Sequence, residues 1–183
     1  MRVITGIARG VKLETLPGDA VRPTTEMAKE GIFSSIQFDL DSRRVLDLFA
    51  GSGQLGLEAL SRGAESAVFV DESQASVDTV KKNAQKSKLF PQCKIVRMDF
   101  TDYLKKCSDT FHFIFVDPPY GKKLLPEVIK KIMKYGALHE DGLIICEGED
   151  AEIDIEAISE EYGIEIKKRY KYGKTYVHTV GRK

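Results

Sequence analysis

The sequence predicts an α/β protein with a doubly wound, mostly parallel sheet that ends in an antiparallel hairpin. After residue 43, five short apolar runs rich in branched and aromatic residues alternate with helical patterns, which is typical of a parallel sheet covered on both faces. The runs span residues 45–50, 67–71, 94–98, 111–117 and 142–147. Two further strand-like runs, 164–172 and 175–180, are separated only by Gly173 and Lys174, so they must pair as an antiparallel hairpin.

The composition fits a single domain. The chain has 183 residues, 42% of them hydrophobic, which is enough for one sizeable core. Its 28 basic and 28 acidic side chains cancel, so the total charge does not indicate a nucleic-acid partner. From residue 165 to residue 183, however, seven basic residues stand against one acidic residue. This end of the chain is either a phosphate-facing edge or a solvated edge strand with many lysines.

The sequence also indicates a location and the absence of certain sites. The first 20 residues lack the apolar run of a signal peptide, and no segment approaches the length of a membrane span. Cys93, Cys107 and Cys146 are an odd number without close spacing, which argues against a disulfide framework and a zinc site. We therefore expect a cytoplasmic monomer with reduced thiols, no bound metal and no membrane attachment.

Residues 1–43 precede the alternating pattern and are predicted as an N-terminal extension of the main domain, residues 44–183. The first 16 residues are interpreted as a β-hairpin that turns at Arg9 and Gly10. A loop at residues 22–25 then leads to a helix that runs to Phe38 and packs one apolar face on the sheet. The members of that face are Ala28, Ile32, Phe33 and Ile36.

A glycine-rich loop follows the first strand of the main domain. Gly51, Gly53 and Gly56 form a G-x-G-x-x-G pattern between a strand and a helix, where the backbone can approach a ligand closely. Asp71 ends the next strand, where a carboxylate can accept hydrogen bonds from ribose hydroxyls. The loop by itself suits either a nicotinamide dinucleotide or S-adenosylmethionine.

Two acidic residues bear on the choice between these cofactors. Asp47, at the end of the first strand, suits the cationic end of an amino-acid-bearing cofactor and would repel a pyrophosphate, which favours S-adenosylmethionine. Its alternative role is to hold the loop backbone by hydrogen bonds. Asp99 follows the third strand and is positioned to accept the adenine amino group, with Phe100 over the ring, or to cap the helix that starts beside it.

The fourth strand ends in Asp117-Pro118-Pro119-Tyr120. Consecutive prolines hold the flanking groups rigidly at the carboxyl end of the sheet, where ligands of open α/β sheets bind. An amino group conjugated to a base ring is a poor nucleophile, so it must be aligned with a methyl donor. Asp117 and the Pro118 carbonyl would accept the two N–H bonds of such an amine, and Tyr120 would stack on the base. The alternative is a Pro-Pro turn that only ends the strand.

The two motifs together resemble the amino-methyltransferase branch of the class I S-adenosylmethionine-dependent enzymes, which have a Rossmann-like fold. The resemblance narrows to the RsmD family, the 16S rRNA (guanine(966)-N(2))-methyltransferases, and covers essentially the whole chain. The segments that carry it are residues 6–13, 22–26, 60–64 and 172–175, together with Glu30 and Phe33.

This resemblance implies S-adenosylmethionine as cofactor, S-adenosylhomocysteine as product and 16S rRNA, within the small ribosomal subunit or its assembly intermediate, as partner. It implies that cofactor binding falls to Asp47, Phe49, Gly51, Ser52, Gly53, Asp71, Asp99 and Phe100, and that catalysis falls to Asp117, Pro118, Pro119 and Tyr120. Candidates for RNA contact, largely in the N-terminal extension, are Arg9, Arg22, Thr24, Thr25 and Lys174. Without the resemblance, the alternative for the arginines and for the turn lysine is an ordinary solvated surface charge.

The chain departs from the family pattern in three places. Met27 stands where relatives commonly carry Arg, Gly31 stands where Ala is usual, and Met98-Asp99-Phe100 replaces a Gly-Asp-Ala pattern. The missing arginine weakens the assignment of RNA anchoring to this helix.

Three alternative functions stay open at this point. Methylation of DNA at adenine N6 or cytosine N4 uses the same proline motif, although 183 residues leave little room for a DNA-recognition region. A nicotinamide oxidoreductase rests on the glycine loop alone. A non-catalytic RNA-binding assembly factor would keep the fold without turnover.

Overall fold

The computed structural model describes residues 1–16, 26–119, 124–148 and 153–183. The strands in these ranges are β1 (Arg44–Asp47), β2 (Ser66–Asp71), β3 (Cys93–Arg97), β4 (Phe111–Val116), β5 (Leu138–Gly148), β6 (Ile164–Tyr172) and β7 (Thr175–Arg182). The helices are α1 (Glu26–Ile36), α2 (Gln54–Ser61), α3 (Gln74–Lys86), α4 (Phe100–Lys106), α5 (Leu125–Lys134) and α6 (Glu156–Tyr162), with a 3₁₀ turn at Phe90–Gln92. Within the described ranges, no helix combines the length and the hydropathy that a bilayer crossing requires.

The strands form a sheet in the order β3-β2-β1-β4-β5-β7-β6. β1 to β5 are parallel, and β7 runs antiparallel to both β5 and β6. The predicted fold class, five parallel strands followed by an antiparallel hairpin, is confirmed. The strand order reverses between β1 and β4, and such a switch point opens a ligand crevice at the edge where the parallel strands end, the carboxyl edge.

The ends of the strands differ from the predicted ends by a few residues. β1 stops at Asp47 because Leu48 and the residues after it already belong to the loop, although the Leu48 N–H still donates to the Phe115 carbonyl at 3.1 Å. β5 begins at Leu138 rather than at Gly142. The residues between these two positions are polar and partly exposed, so a hydrophobic pattern does not show them as a strand.

Helices cover both faces of the sheet. On one face lie α1, α2 and α3, and there the rings of Phe33 and Phe115 meet with centroids 5.5 Å apart. On the other face lie α4, α5 and α6, with Ile129 and Ile132 of α5 fully buried against the strands. The apolar face predicted for α1 is confirmed, because all four of its members are buried.

The N-terminal hairpin has little regular pairing. Its arms form an isolated antiparallel bridge between Arg2 and Lys12, flanked by backbone hydrogen bonds such as Val3 N–H to the Val11 carbonyl at 3.0 Å. The turn extends from Gly6 to Gly10 instead of being confined to its last two residues. Within this turn the N–H groups of Ile7 and Ala8 bond to Ser61 of α2 at 2.8 and 2.9 Å, whereas the Gly10 N–H bonds across the hairpin to the Val3 carbonyl at 2.9 Å.

Two side chains of α2 bind the turn. Glu58 accepts the N–H groups of Ile4 and Thr5 at 2.8 and 3.0 Å. The Ser61 hydroxyl donates to the Thr5 carbonyl at 2.6 Å. A Cβ at Gly6, where φ is 87°, would lie 1.7 Å from the Ser61 carbonyl oxygen, so this approach requires glycine.

A buried charge network completes this contact. Glu58 and Lys29 are both fully buried, with Lys29 Nζ 3.5 Å from Glu58 Oε2. Arg62 Nε donates to Glu58 Oε1 at 2.8 Å, and Lys29 Nζ donates to the Arg2 carbonyl at 2.6 Å. Hydrogen bonds to the buried Lys29–Glu58 ion pair therefore join the N-terminal hairpin to α1 and α2.

Candidate active site

A cavity of about 410 Å³ opens at the carboxyl edge, within the size range of small-ligand and cofactor sites. It lies over the ends of β1, β2 and β4, and thus at the switch point. The described residues that line it are Leu16, Leu48, Phe49, Gly51, Asp71, Glu72, Ser73, Ser76, Met98, Asp99, Phe100, Asp117, Pro118, Pro119 and Leu124.

The three glycines of the loop have different roles. Gly51 lines the cavity, and Gly53 is the N-cap residue of α2, with φ of 78°. A Cβ at Gly56 would lie 2.3 Å from the Phe69 ring, so the missing side chain allows α2 to pack closely on β2. The loop therefore offers bare backbone and a helix N-terminus beside the cavity, as the G-x-G-x-x-G pattern predicts.

Asp71 supports the loop from the end of β2. Its Oδ2 accepts the Gly51 N–H at 2.9 Å, and its Oδ1 accepts the Ser73 N–H at 2.9 Å. Each carboxylate oxygen has two lone pairs, so both bonds are compatible with the predicted contact to a ribose hydroxyl. Glu72, an exposed neighbour, adds to the lining a carboxylate that the motif did not predict.

Asp47 lies behind the loop and is 2% exposed. Its Oδ2 accepts the Gly56 N–H at 3.1 Å, which is the backbone-holding role considered from the sequence. Burial raises the pKa of Asp47 to about 7, the Gly56 hydrogen bond works against this, and the nearby charge of Asp71 adds to it. A cation bound in the loop would favour the ionised form of the Asp47 carboxyl. Cofactor binding by Asp47 stays a prediction.

Asp99 and Phe100 form another wall of the cavity. Asp99 Oδ1 accepts the N–H groups of Thr101 and Asp102 at 2.8 and 3.3 Å, so Asp99 caps α4. Asp99 also lines the cavity. The ring of Phe100 packs on the ring of Phe49, with centroids 5.2 Å apart and planes tilted by 45°. The two alternatives for Asp99 are therefore compatible, since one oxygen caps the helix beside an aromatic surface suited to adenine.

The proline motif reaches the same cavity from β4. Asp117, Pro118 and Pro119 all line it, with Pro118 buried and Pro119 exposed. Because β4 pairs with β1, the motif stands next to the glycine loop across the switch point. Tyr120 lies outside the described residues. The fold thus brings the glycine loop and the proline motif to one cavity. The sequence alone predicted only that both lie at the carboxyl edge of the sheet.

The candidates for RNA contact fall into two positions. Lys174 is exposed in the turn between β6 and β7. Because β7 is antiparallel to β5, this turn lies at the carboxyl edge, the same edge as the cavity. Arg9 is exposed in the N-terminal turn, which binds Ser61 at the far end of α2, about 12 Å along the helix from the loop. Arg22, Thr24 and Thr25 lie outside the described residues.

Asn83 of α3 is a structural residue that sequence reasoning missed. It is fully buried, and its side-chain amide donates to the carbonyls of Ser52 and Glu14 at 2.9 and 3.1 Å. Its Oδ1 accepts the Glu14 N–H at 2.7 Å. Asn83 therefore joins the glycine loop to the segment that carries Leu16 into the cavity lining. Its signal was a polar residue on the otherwise apolar face of the α3 pattern.

The family departures also have structural counterparts. A Cβ at Gly31 would lie 1.9 Å from the Tyr172 hydroxyl, so the glycine makes room in α1 for the end of β6. Met27 is 67% exposed in the first turn of α1. Met98 and Phe100 both line the cavity and give it apolar surface.

Comparison with known proteins identifies the family. The family model described as Conserved hypothetical protein 95 matches residues 1–181. The chain belongs to this family. Its relatives include proteins named Ribosomal RNA small subunit methyltransferase D from Haemophilus influenzae and Escherichia coli K12, both 34% identical over 81% of this chain. The matches cover 79% and 75% of those relatives. A Bacillus subtilis protein, YlbH, described provisionally as an rRNA methyltransferase, is 42% identical over 85% of each chain.

A solved structure agrees with this assignment. The Escherichia coli protein yhhF, described provisionally as a methyltransferase, superposes with a TM-score of 0.86 at 31% identity, covering 100% of this chain and 98% of its own. The predicted RsmD resemblance, the methyltransferase fold and S-adenosylmethionine as cofactor are confirmed. The described residues fit that cofactor: carboxylates at the end of β2 suit its ribose, paired aromatic rings suit its adenine, and the buried Asp47 carboxyl lies close behind the loop.

Proposed function

We propose that this chain methylates the exocyclic N2 amino group of a guanine in 16S rRNA, the guanine designated 966 in the family. Methylation of small-subunit rRNA with S-adenosylmethionine has support from the named relatives. The choice of an amino nitrogen rests on one observation, that Asp117 and Pro118 line the same cavity as Gly51, Asp71 and Asp99. Such a lining would supply two hydrogen-bond acceptors next to the methyl group of a cofactor bound in this cavity.

In this proposal Asp117 and Pro118 orient the amine. The Asp117 carboxylate and the Pro118 carbonyl accept one N–H bond each, which turns the nitrogen lone pair towards the methyl carbon and favours a pyramidal nitrogen. The bound cofactor supplies an electrophilic methyl group. Asp117 can accept the proton that the amine loses and pass it to water, because it is partly exposed. No stronger base is needed before transfer, since alignment is the main requirement.

The site also limits how the RNA must be presented. The cavity is recessed at the carboxyl edge, so the target guanine has to leave its base stack to reach it. Lys174 is exposed at that edge and in this proposal contacts a phosphate of a flanking nucleotide. Arg9 lies a helix length away and would contact RNA further from the target. We propose that residues 1–43 form the RNA-contacting extension of a methyltransferase domain at residues 44–183, and that Arg22, Thr24, Thr25 and Tyr120 contribute as the family resemblance implies.

The direct test uses small ribosomal subunits from cells that lack this protein. Purified wild-type protein and labelled S-adenosylmethionine should label a single guanine, and nucleoside mass analysis should identify it as N2-methylguanosine. Label at another atom, or no transfer to subunits and free 16S rRNA alike, would overturn the proposal. A comparison of assembled subunits with naked 16S rRNA also shows which form is the substrate. The cytoplasmic location and the monomeric state stay predictions that accompany this function.

The alternatives give different outcomes in the same assay. Transfer to duplex DNA, at adenine N6 or cytosine N4, would select a DNA methyltransferase. Cofactor binding without turnover, together with subunit binding that survives Asp117→Ala, would select an assembly factor.

A further inference from the structure

Lys131 of α5 contacts the cavity wall from outside the cavity. Its ammonium nitrogen lies 4.9 Å from the centroid of the Phe100 ring. The same nitrogen donates to the Thr101 hydroxyl at 2.9 Å. One helical turn earlier, Glu127 forms an ion pair with it. The Lys131 side chain is 24% exposed, so these contacts are partly shielded from solvent.

The Phe100 ring contacts this ammonium and also belongs to the cavity wall. Phe100 lines the cavity, whereas Lys131 is not among the described residues that do. Phe49 packs against the same ring with centroids 5.2 Å apart. Contacts with a cation and with a second ring therefore leave Phe100 little freedom to turn.

We propose that Lys131 is a positioning residue for the adenine of the cofactor, acting through Phe100 and the first turn of α4. A cation over one face of an aromatic ring is attracted by the negative charge of that face. It draws ring electrons towards itself, which makes the opposite face less negative and a better surface for an electron-rich purine.

The hydrogen bond to Thr101 adds a second effect. Thr101 follows the cap residue Asp99 and Phe100 in the chain, and its N–H is bonded to the Asp99 carboxylate at 2.8 Å. By holding the Thr101 side chain, Lys131 also holds the turn on which Asp99 faces the cavity. This inference concerns the cofactor site and is independent of which base the enzyme methylates.

The same helix offers a matched control. Lys134 also lies over an aromatic ring, with its ammonium nitrogen 5.6 Å from the centroid of Tyr135. Neither Lys134 nor Tyr135 is among the described residues that line the cavity. Lys131→Met and Lys134→Met therefore each remove one lysine charge and one ring contact from α5. Only Lys131→Met removes a contact with a residue of the cavity wall.

The test is isothermal titration of the purified variants with S-adenosylhomocysteine. Lys131→Met should raise the Kd about fivefold, as expected for a partly shielded cation–ring contact. Lys131→Arg should stay within about twofold of wild type, because guanidinium keeps both the charge and a donor. Lys134→Met should bind like wild type. Thermal unfolding of each variant, without ligand, reports whether the fold is retained.

A second ligand separates positioning from general loss of packing. S-Inosylhomocysteine carries a carbonyl oxygen in place of the adenine amino group, so a correctly placed Asp99 should disfavour it. Wild type should bind S-adenosylhomocysteine more tightly than S-inosylhomocysteine. The ratio of the two Kd values should be smaller for Lys131→Met and unchanged for Lys134→Met.

Two outcomes would overturn the inference. The first is a Lys131→Met protein that matches wild type in Kd and in ligand preference. The second is loss of affinity by Lys131→Met and Lys131→Arg alike, with lower unfolding temperatures and an unchanged preference. Failure of wild type to bind S-adenosylhomocysteine would instead overturn the assignment of the cavity to this cofactor.

Discussion

The cofactor edge and the N-terminal extension are held by different kinds of hydrogen bond. At the cofactor edge, acidic side chains bond the backbone of nearby chain segments, as Asp99 does with Thr101 two residues away. In the extension, Glu58 and Ser61 of α2 bond backbone groups 53 to 56 residues away. The cofactor edge leaves a cavity open for a ligand, whereas the contact between α1 and α2 buries Lys29 against Glu58. The two regions therefore differ in what they hold in place, and Asn83 connects them through its bonds to Ser52 and Glu14.

Glu58→Ala should have the largest effect on the extension. It leaves the buried Lys29 ammonium and the N–H groups of Ile4 and Thr5 without this carboxylate, so the free energy of unfolding should fall by about 3–5 kcal/mol. Urea unfolding measures it. Glu65→Ala, an exposed glutamate close by in the chain, is the control and should differ little from wild type. A loss below about 1 kcal/mol for Glu58→Ala would show that the buried network does not stabilise the extension.

Asp47→Asn should change how stability depends on pH. Burial raises the pKa of Asp47 to about 7 from the ordinary aspartate value of 3.8, so the folded state holds this proton more tightly than the unfolded state. Its contribution to stability therefore falls as the pH rises from about 4 to about 7, and the penalty persists above that. Asn does not titrate. The free energy of unfolding of the variant should therefore exceed that of wild type by up to about 4 kcal/mol at pH 8 and by little at pH 4. Denaturant unfolding across this range checks it, with exposed Asp39→Asn as control; parallel curves for Asp47→Asn and wild type would contradict it.

Asp117→Ala should affect chemistry rather than stability. Removing a charged acceptor from the amine site should lower the methyl-transfer rate about 100-fold, while the Kd of S-adenosylhomocysteine stays within about twofold of wild type. Asp71→Ala should do the reverse and mainly weaken cofactor binding, because its carboxylate holds Gly51 and Ser73. Single-turnover transfer and calorimetric titration measure the two effects. The opposite pattern would mean that the roles of these carboxylates have been exchanged.

Asn83→Ala should have a smaller effect, but on both regions. Loss of its bonds to Glu14 and Ser52 should lower the free energy of unfolding by about 2 kcal/mol. The same change frees the Ser52 carbonyl beside the glycine loop, so the Kd of S-adenosylhomocysteine should rise about threefold. Urea unfolding and calorimetry, with exposed Gln85→Ala of the same helix as control, test this. Weaker stability with unchanged cofactor affinity would show that the two regions are independent.

The parts of this protein that are local in sequence were determined by the sequence itself. The alternation of apolar runs and helical patterns predicted the five parallel strands, and the two-residue connection at Gly173 and Lys174 predicted the antiparallel end of the sheet. The glycine loop and Asp117-Pro118-Pro119 were also recognisable, because their backbone conformation depends on glycine and proline within a few residues. Eight of the predicted site residues line the cavity in the structure: Phe49, Gly51, Asp71, Asp99, Phe100, Asp117, Pro118 and Pro119.

Only the tertiary structure decided which distant side chains meet. Glu58 with the N-terminal turn, Asn83 with the glycine loop, and Lys131 with Phe100 are pairs that no periodic pattern or short motif connects. The sequence gives no reason for a glycine at position 31 of α1. The structure does, because a Cβ there would clash with the Tyr172 side chain. The physical reason is that local conformation follows from neighbouring residues, whereas burial and long-range hydrogen bonds depend on how helices pack after the sheet has formed.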